Sequence, residues 1–332
     1  EQSISAFEPG NGYWLITKEA ETWDVGSGQS VNPDSFQMTL APGWNQIGHP
    51  FAFSVDWVDV ITTAGNVEPP VGYAGSGNNT SGYQYNRSKL EPWKGYYIKN
   101  LENYNVTIEI PPKTSSSTIQ KPLLSRQLQP EEWLLTIKAQ VERSADTDNV
   151  IGMLYDADEK WDIHDLSEAP PFGDYLSIAF SHEAWKLYPG NYTHDIRSVN
   201  PEGTTWKGIL RTNQPYKTIR LSFQGIDLIP DNLDVWLINE TQKQVINLRE
   251  TKEIEMSVTQ ADQDYPIQIV TGPAEFIQQQ DQIQNNLPRD IKLFPNYPNP
   301  FNSSTLIRFE VPEKTQVSLR IVNNVGKTVR HL

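Results

Sequence analysis

Between residues 132 and 272 apolar and polar positions alternate in short runs, and each run predicts a strand. EWLLTIKAQVE, YLSIAF, TIRLSF, DVWLIN, QVINL and YPIQIV set apolar side chains two residues apart, the period of a chain with one face on a core and the other in water. Turn formers fill the gaps, as Pro230, Asp231 and Asn232 do after the third run. No segment of similar length keeps a 3.6-residue period. Short strands with turns between them predict an antiparallel sandwich or jelly roll.

An internal repeat organises the first third of the chain. FEPGNGYWLI at residues 7–16 aligns with LEPWKGYYIK at residues 90–99. The shared glycine permits a tight backbone entry, and the aromatics suit a pleated, half-buried surface. Trp14, Trp44 and Trp93 are expected in the core, with a sugar-stacking platform as the other reading of the same rings. Residues 71–88 (VGYAGSGNNTSGYQYNRS) predict a long exposed loop with aromatic tips. Tyr73, Tyr83 and Tyr85 are its candidate ligand contacts, and surface glycans or other surface proteins its candidate partners.

Two breaks in composition divide the chain. Residues 113–131 are rich in Pro and Ser, residues 276–290 are polar and Gln-rich, and both predict linkers. The expected organisation is a β-rich domain over 1–112, a β-sandwich with an acidic loop over 132–275, and a small β-domain over 291–332.

The small domain carries the most specific motif, LFPNYPNPFNSSTLIRFEVP at residues 293–312. Pro298 and Pro300 fix their own φ and push Tyr297 and Asn299 out of the helical region, which predicts an extended strap. Ile307, Phe309 and Val311 then alternate with Arg308 and Glu310 as a strand. Val317, Leu319 and Ile321 predict a second strand, and Asn323, Asn324 and Gly326 a turn after it.

This segment resembles the type A C-terminal sorting domain of type IX secretion cargo. Leu293, Asn296, Tyr297, Pro298, Asn299, Pro300, Phe301, Asn302, Thr305, Ile307, Phe309 and Pro312 fall in step with the opening of that family. Pro295 and Ser303 depart from it, standing where the family usually has glutamine and proline. The resemblance implies an immunoglobulin-like sandwich, here partial because the family pattern continues through strands beyond Leu332. It also implies export by a type IX translocon, with a sortase-like peptidase removing the domain and anchoring the cargo. Glu1 does not open a signal peptide, so the chain is expected to be part of a longer secreted protein. GWNQIGHPF at residues 43–51 and the stretch at residues 145–171 likewise resemble modules of such cargo.

Composition narrows the chemistry. Over 332 residues the 41 acidic side chains exceed the 27 basic ones, for a net charge of −14, which argues against a nucleic-acid partner. No apolar run reaches the length of a transmembrane helix. Without cysteine there are no disulfides, thiolate metal sites or cysteine nucleophiles. The acidic stretch offers Asp146, Asp148, Asp156, Asp158, Asp162 and Asp165 as hard oxygen ligands for calcium, the one candidate cofactor. It lacks the glycine of an EF-hand, and a solvated loop rich in Asx turns is the competing reading.

Metalloprotease, nucleophile-elbow, P-loop and dinucleotide signatures are all absent. A Ser-His-Asp set built on His182 or His194, or a carboxylate pair, stays open because such sites are spatial. The expectation is a non-catalytic, all-β chain of tandem antiparallel sandwiches with a partial sorting domain. It would belong outside a Gram-negative cell or on its outer-membrane surface, as a spacer, adhesion or ligand-binding module. The alternatives are an accessory carbohydrate-binding region of a larger secreted hydrolase, and a structural subunit of a surface layer or filament.

Overall fold

Eleven strands between residues 133 and 272 join one curled, half-barrel-like sheet. They are β10 (Trp133–Val141), β11 (Ser144–Leu154), β12 (Leu166–Ser167), β13 (Leu176–Ser181), β14 (Asn191–Ser198), β15 (Thr204–Thr212), β16 (Lys217–Gln224), β17 (Asp234–Asn239), β18 (Gln244–Asn247), β19 (Glu253–Val258) and β20 (Tyr265–Gly272). Their order is β18-β17-β20-β15-β13-β14-β11-β10-β16-β19, with β12 paired to β14. All pairings are antiparallel except that of β11 with β14, where Ile151 faces Asp195.

The curl follows from where the apolar face goes. Val235 and Leu237 near one end of the order share a core with Ile219, Leu221, Ile254 and Met256 near the other. Trp133 and Trp206 meet edge-to-face inside it, ring centroids 5.4 Å apart, both fully buried. Burying side chains of this size stabilises the fold by ~1.5–3 kcal/mol each. β15, β16 and β19 alternate buried with exposed positions, as a sheet with one wet face must. β10 and β11 are buried on both faces, because Leu134, Val150, Leu154 and Ile196 form a second cluster behind the sheet.

The structure is a computed structural model that describes residues 7–14, 19, 22, 31–32, 34–74, 82–115, 127–142, 144–286, 290–296, 299–301, 305, 307, 309–312 and 315–332. The expected linker at 113–131 lies largely outside these residues. No described helix is long and apolar enough to cross a membrane. Residues Glu1–Ile277 form one compact unit and Gln278–Leu332 a second.

The amino-terminal lobe of the first unit is built from short pieces. They are β1 (Phe36–Leu40), β2 (Gly43–Gly48), β3 (Val55–Asp56), β4 (Ile61–Thr62), β5 (Gly72–Tyr73), β6 (Tyr83–Gln84), β7 (Lys89–Leu90), β8 (Gly95–Asn100) and β9 (Val106–Ile110). β9 lies between β1 and β4, while β2 pairs β8, β3 pairs β7 and β5 pairs β6. Leu40, Ile47, Val55, Leu90, Ile98, Ile108 and Ile110 make its core.

The internal repeat is a turn used twice. In the first copy the Tyr13 hydroxyl accepts the Glu8 backbone N–H at 3.0 Å, and Asn11 donates to the Glu8 carboxylate at 3.1 Å. In the second copy the Tyr96 hydroxyl accepts the Glu91 N–H at 2.8 Å, and Lys94 donates to the Glu91 carboxylate at 3.2 Å. The residue after the proline has positive φ in both, +87° at Gly10 and +61° at Trp93, as a turn of type II shape requires. Trp93 is therefore not a core residue as expected: it sits at the tip, 91 % exposed. Trp14 and Trp44 are half-buried. Because a bulky residue in the left-handed region is strained, Trp93→Gly is expected to stabilise the protein by up to about 1 kcal/mol. A fall in melting temperature would show instead that the indole makes stabilising contacts.

The polar stretch expected as a second linker contains two short helices, α1 (Ala274–Gln278) and α2 (Asp281–Asn286). Phe276 lies so close over Gly203 and Gly272 that a Cβ on either would stand 2.5 Å from its ring. Ile277 and Ile283 are buried.

In the second unit β21 (Lys292–Leu293) pairs β22 (Phe309–Glu310), and β23 (Arg320–Val322) pairs β24 (Thr328–His331). The turn expected at 323–326 joins the latter pair. Asn323 Oδ1 accepts the N–H groups of Val325 and Lys327, and Gly326 takes φ +79°.

Candidate functional site

Where the amino-terminal lobe meets the large sheet, the first unit buries a continuous polar seam. Tyr85, just after β6, is 7 % exposed. Its hydroxyl donates to Glu168 at 3.1 Å and accepts the Ala169 N–H at 2.9 Å, while its own N–H donates to Asp148 at 3.1 Å. Tyr83 donates to the Pro170 carbonyl at 2.6 Å. Tyr73 and Trp14 close over Phe172, the Trp14 ring stacked on it at 3.7 Å. The tyrosines expected at loop tips are thus turned inward, since a phenol fills apolar space while its hydroxyl finds a partner. Residues 75–81 between them lie outside the described residues.

Beneath Tyr85 lie two carboxyls. Asp146 accepts the Ile178 N–H at 2.7 Å, and Glu168 accepts the Ser177 hydroxyl at 2.7 Å. Burial pushes Asp146 up to about 7. Burial, then the neighbouring Asp146 charge, raises Glu168 well above the carboxylate range. Both line a cavity of about 40 Å³ with Ser144, Phe172 and Tyr175. That volume suits a water-sized occupant and is far below that of small-molecule sites. Two acids held this way retain a proton near neutral pH.

A second cluster continues the seam. Lys99 donates to the Ser167 hydroxyl at 2.7 Å, and that hydroxyl donates to Glu68 at 2.6 Å. Burial lowers Lys99, with Glu68 opposing, and raises Glu68 against its bonds from Ser167. A serine bonded to a depressed lysine has the elements of an activated nucleophile. Here Ser167 is fully buried and its proton is directed to Glu68, so the trio joins the two lobes. Asp148 is pushed up by burial, but His194 and the Tyr85 amide outweigh this and leave it lowered.

His182, the other histidine singled out in sequence, lies in a separate cluster. Its Nε2 bonds Asp195 at 2.7 Å, and Arg197 donates to both Asp195 oxygens at 2.9 Å. Burial opposes ionisation of Asp195, yet His182 and Arg197 more than offset it and hold the carboxyl below its usual range. Trp185 stacks on the imidazole at 3.7 Å. This is the base-and-orienter half of a triad, and among the described residues no hydroxyl hydrogen-bonds His182.

The acidic stretch divides. Asp146 and Asp148 belong to β11, a strand running through what the sequence suggested was a loop. The alternation was hidden because Asp146 and Asn149, both buried, occupy strand positions with polar side chains. Asp156, Asp158, Asp162 and Asp165 follow in a turn-rich connection. Asp158 accepts the Lys160 N–H, Asp162 those of Asp158 and His164, and Asp165 those of Asp162 and Ile196. His164 lies 3.5 Å from Asp156. Burial lifts Asp165 to about 8. Among the described residues no group of three or more His, Asp or Glu side chains is arranged to hold a metal ion.

Residues 293–312, which resemble a sorting motif in sequence, belong to the second unit. Leu293 pairs Phe309, and Asn296 donates to the Thr305 hydroxyl at 3.1 Å. Phe301 is 55 % exposed, and Asn299 and Pro300 are exposed beside it. Tyr297, Pro298 and Asn302 lie outside the described residues. Comparison with protein-family models, with curated proteins and with solved structures finds no match for this chain.

Proposed function

We propose that this chain is a non-catalytic, surface-delivered region of a secreted bacterial protein, addressed by residues 293–312 to a type IX translocon. In this reading the tail belongs to an immunoglobulin-like sandwich, and the upstream lobes are tandem sandwiches serving as spacer, adhesion or ligand-binding modules on the outer surface. A sortase-like peptidase would act on the tail after export.

The observation that carries the reading is the sequence from Leu293 to Pro312, whose residues follow the order of the family's opening and of which Leu293 and Phe309 are cross-strand partners. Leu293, Phe301, Val322, Val325 and Val329 are all more than half exposed, which suits a surface that another protein recognises. Expression behind a secretory signal tests it, in a bacterium with the translocon and in one without. The protein is expected on the surface or in the medium of the first and retained in the periplasm of the second. Replacing Asn299, Pro300 and Phe301 together with alanine is expected to cause retention in both. Equal export from both strains would overturn the reading.

A further inference from the structure

A second, open cleft of about 360 Å³ lies on the outer side of the large sheet, lined by β6, β10, β11 and β16. Lys138 and Gln140 of β10 face Ser222 and Arg220 of β16 across the ladder. The β10–β11 register shifts between Ile137 and Ala139, a bulge that re-aims the side chain of Lys138. Tyr83, Gln84, Ala139, Ala145 and Thr147 complete the wall. Among the described residues this lining carries two cations and no carboxylate, on a chain whose acids outnumber its bases 41 to 27.

Acids stand beside the cleft but outside its lining: β19 sets the exposed Glu253 and Glu255 opposite Ser222 and Arg220. Glu255 is 4.0 Å from Arg220 with both side chains more than half exposed, a weak pairing in water. Asp148 feels the Lys138 charge but is engaged by His194 and the Tyr85 amide. No aliphatic side chain larger than alanine lines the cleft, whose apolar part includes Tyr83, Ala139 and Ala145 beside the polar groups. Ligands with oxygens around their perimeter and acid groups to meet the two cations are favoured, and the volume is that of small-ligand sites.

We propose that this cleft binds an acidic saccharide, such as a uronic-acid oligomer, through Lys138 and Arg220. The inference deepens the ligand-binding part of the proposed function and is independent of the sorting tail. Isothermal titration of the full chain with oligogalacturonate, a neutral cello-oligosaccharide of equal length and an oligo-aspartate peptide tests it. The uronate is expected to bind and the neutral sugar not to, with affinity falling as salt rises. Lys138→Gln and Arg220→Gln are each expected to weaken binding about tenfold. Absence of uronate binding at millimolar concentration, unchanged affinity in both variants, or tighter binding of the peptide would each overturn it. Should a variant fail to fold, the uronate-versus-neutral comparison on the unaltered chain still decides. Failure would leave the delivery reading untouched, because export is scored separately in cells.

Discussion

Asp195→Ala is expected to destabilise the first unit by about 3–5 kcal/mol, the range for removing one partner of a buried ion pair. Asp195 is 1 % exposed and balances Arg197 and His182, whose side chains are 15 % and 13 % exposed. Alanine would leave a guanidinium in the interior with, among the described residues, only the Thr205 carbonyl as a hydrogen-bond acceptor. The Arg197 group also lies 5.1 Å over the Trp206 ring, so its displacement would disturb the main core. Chemical denaturation should show the loss, and a change below about 0.5 kcal/mol, within the range of ordinary surface substitutions, would refute this account. Since the carboxyl of Asp195 is lowered in the folded state, its contribution is present above the unfolded value near 3.8 and is lost as pH falls through the folded value. The gap between wild type and variant should therefore close in strong acid.

The second large effect is expected on raising the pH. Asp146 at about 7, Asp165 at about 8, and Glu168 and Glu68, both raised, hold protons that the unfolded chain releases near pH 4. A carboxyl raised by folding favours the folded state below its unfolded value, and that advantage disappears as pH rises through the folded one. Stability should therefore fall between about pH 4 and 8, by up to ~1.4 kcal/mol per pH unit for each group titrating. His49, lowered by burial, works in the opposite direction up to 6.5, and Asp148 and Asp195 lose their contributions only at lower pH. A paired variant isolates the seam. Asp146→Asn with Glu168→Gln keeps the shape of the protonated acids, so its melting temperature should depend less on pH over this window. Parallel pH profiles for variant and wild type would remove the two acids from the explanation.

Part of the large sheet was legible from alternation. Six runs predicted from period two correspond to β10, β13, β16, β17, β18 and β20, while β15 and β19, which alternate buried with exposed positions as clearly, were not read. β11 was illegible for its polar residues: buried on both faces like β10, it places Asp146 and Asn149 among apolar neighbours and meets their polarity with Ile178, Ile137 and Thr193. A run containing two aspartates and an asparagine carries no sign that its partners lie on strands yet to come. The seam was hidden in the same way. Tyr85, Glu168, Lys99 and Ser167 come from separate segments, and no local pattern reports that Glu68 and Ser167 will touch. Trp93 was misplaced because the repeat was aligned by residue type, whereas its turn demands a backbone angle that glycine supplies in one copy and tryptophan endures in the other.

The strand order also sets a timetable. β10 pairs with β16, and β16 with β19, so the wall carrying Trp133 stays open until residue 258 is available to close it. Pairings this distant in sequence slow folding. A chain emerging from the ribosome or crossing a membrane from its amino end therefore remains pliable through most of its length, with the final strands acting as the clasp.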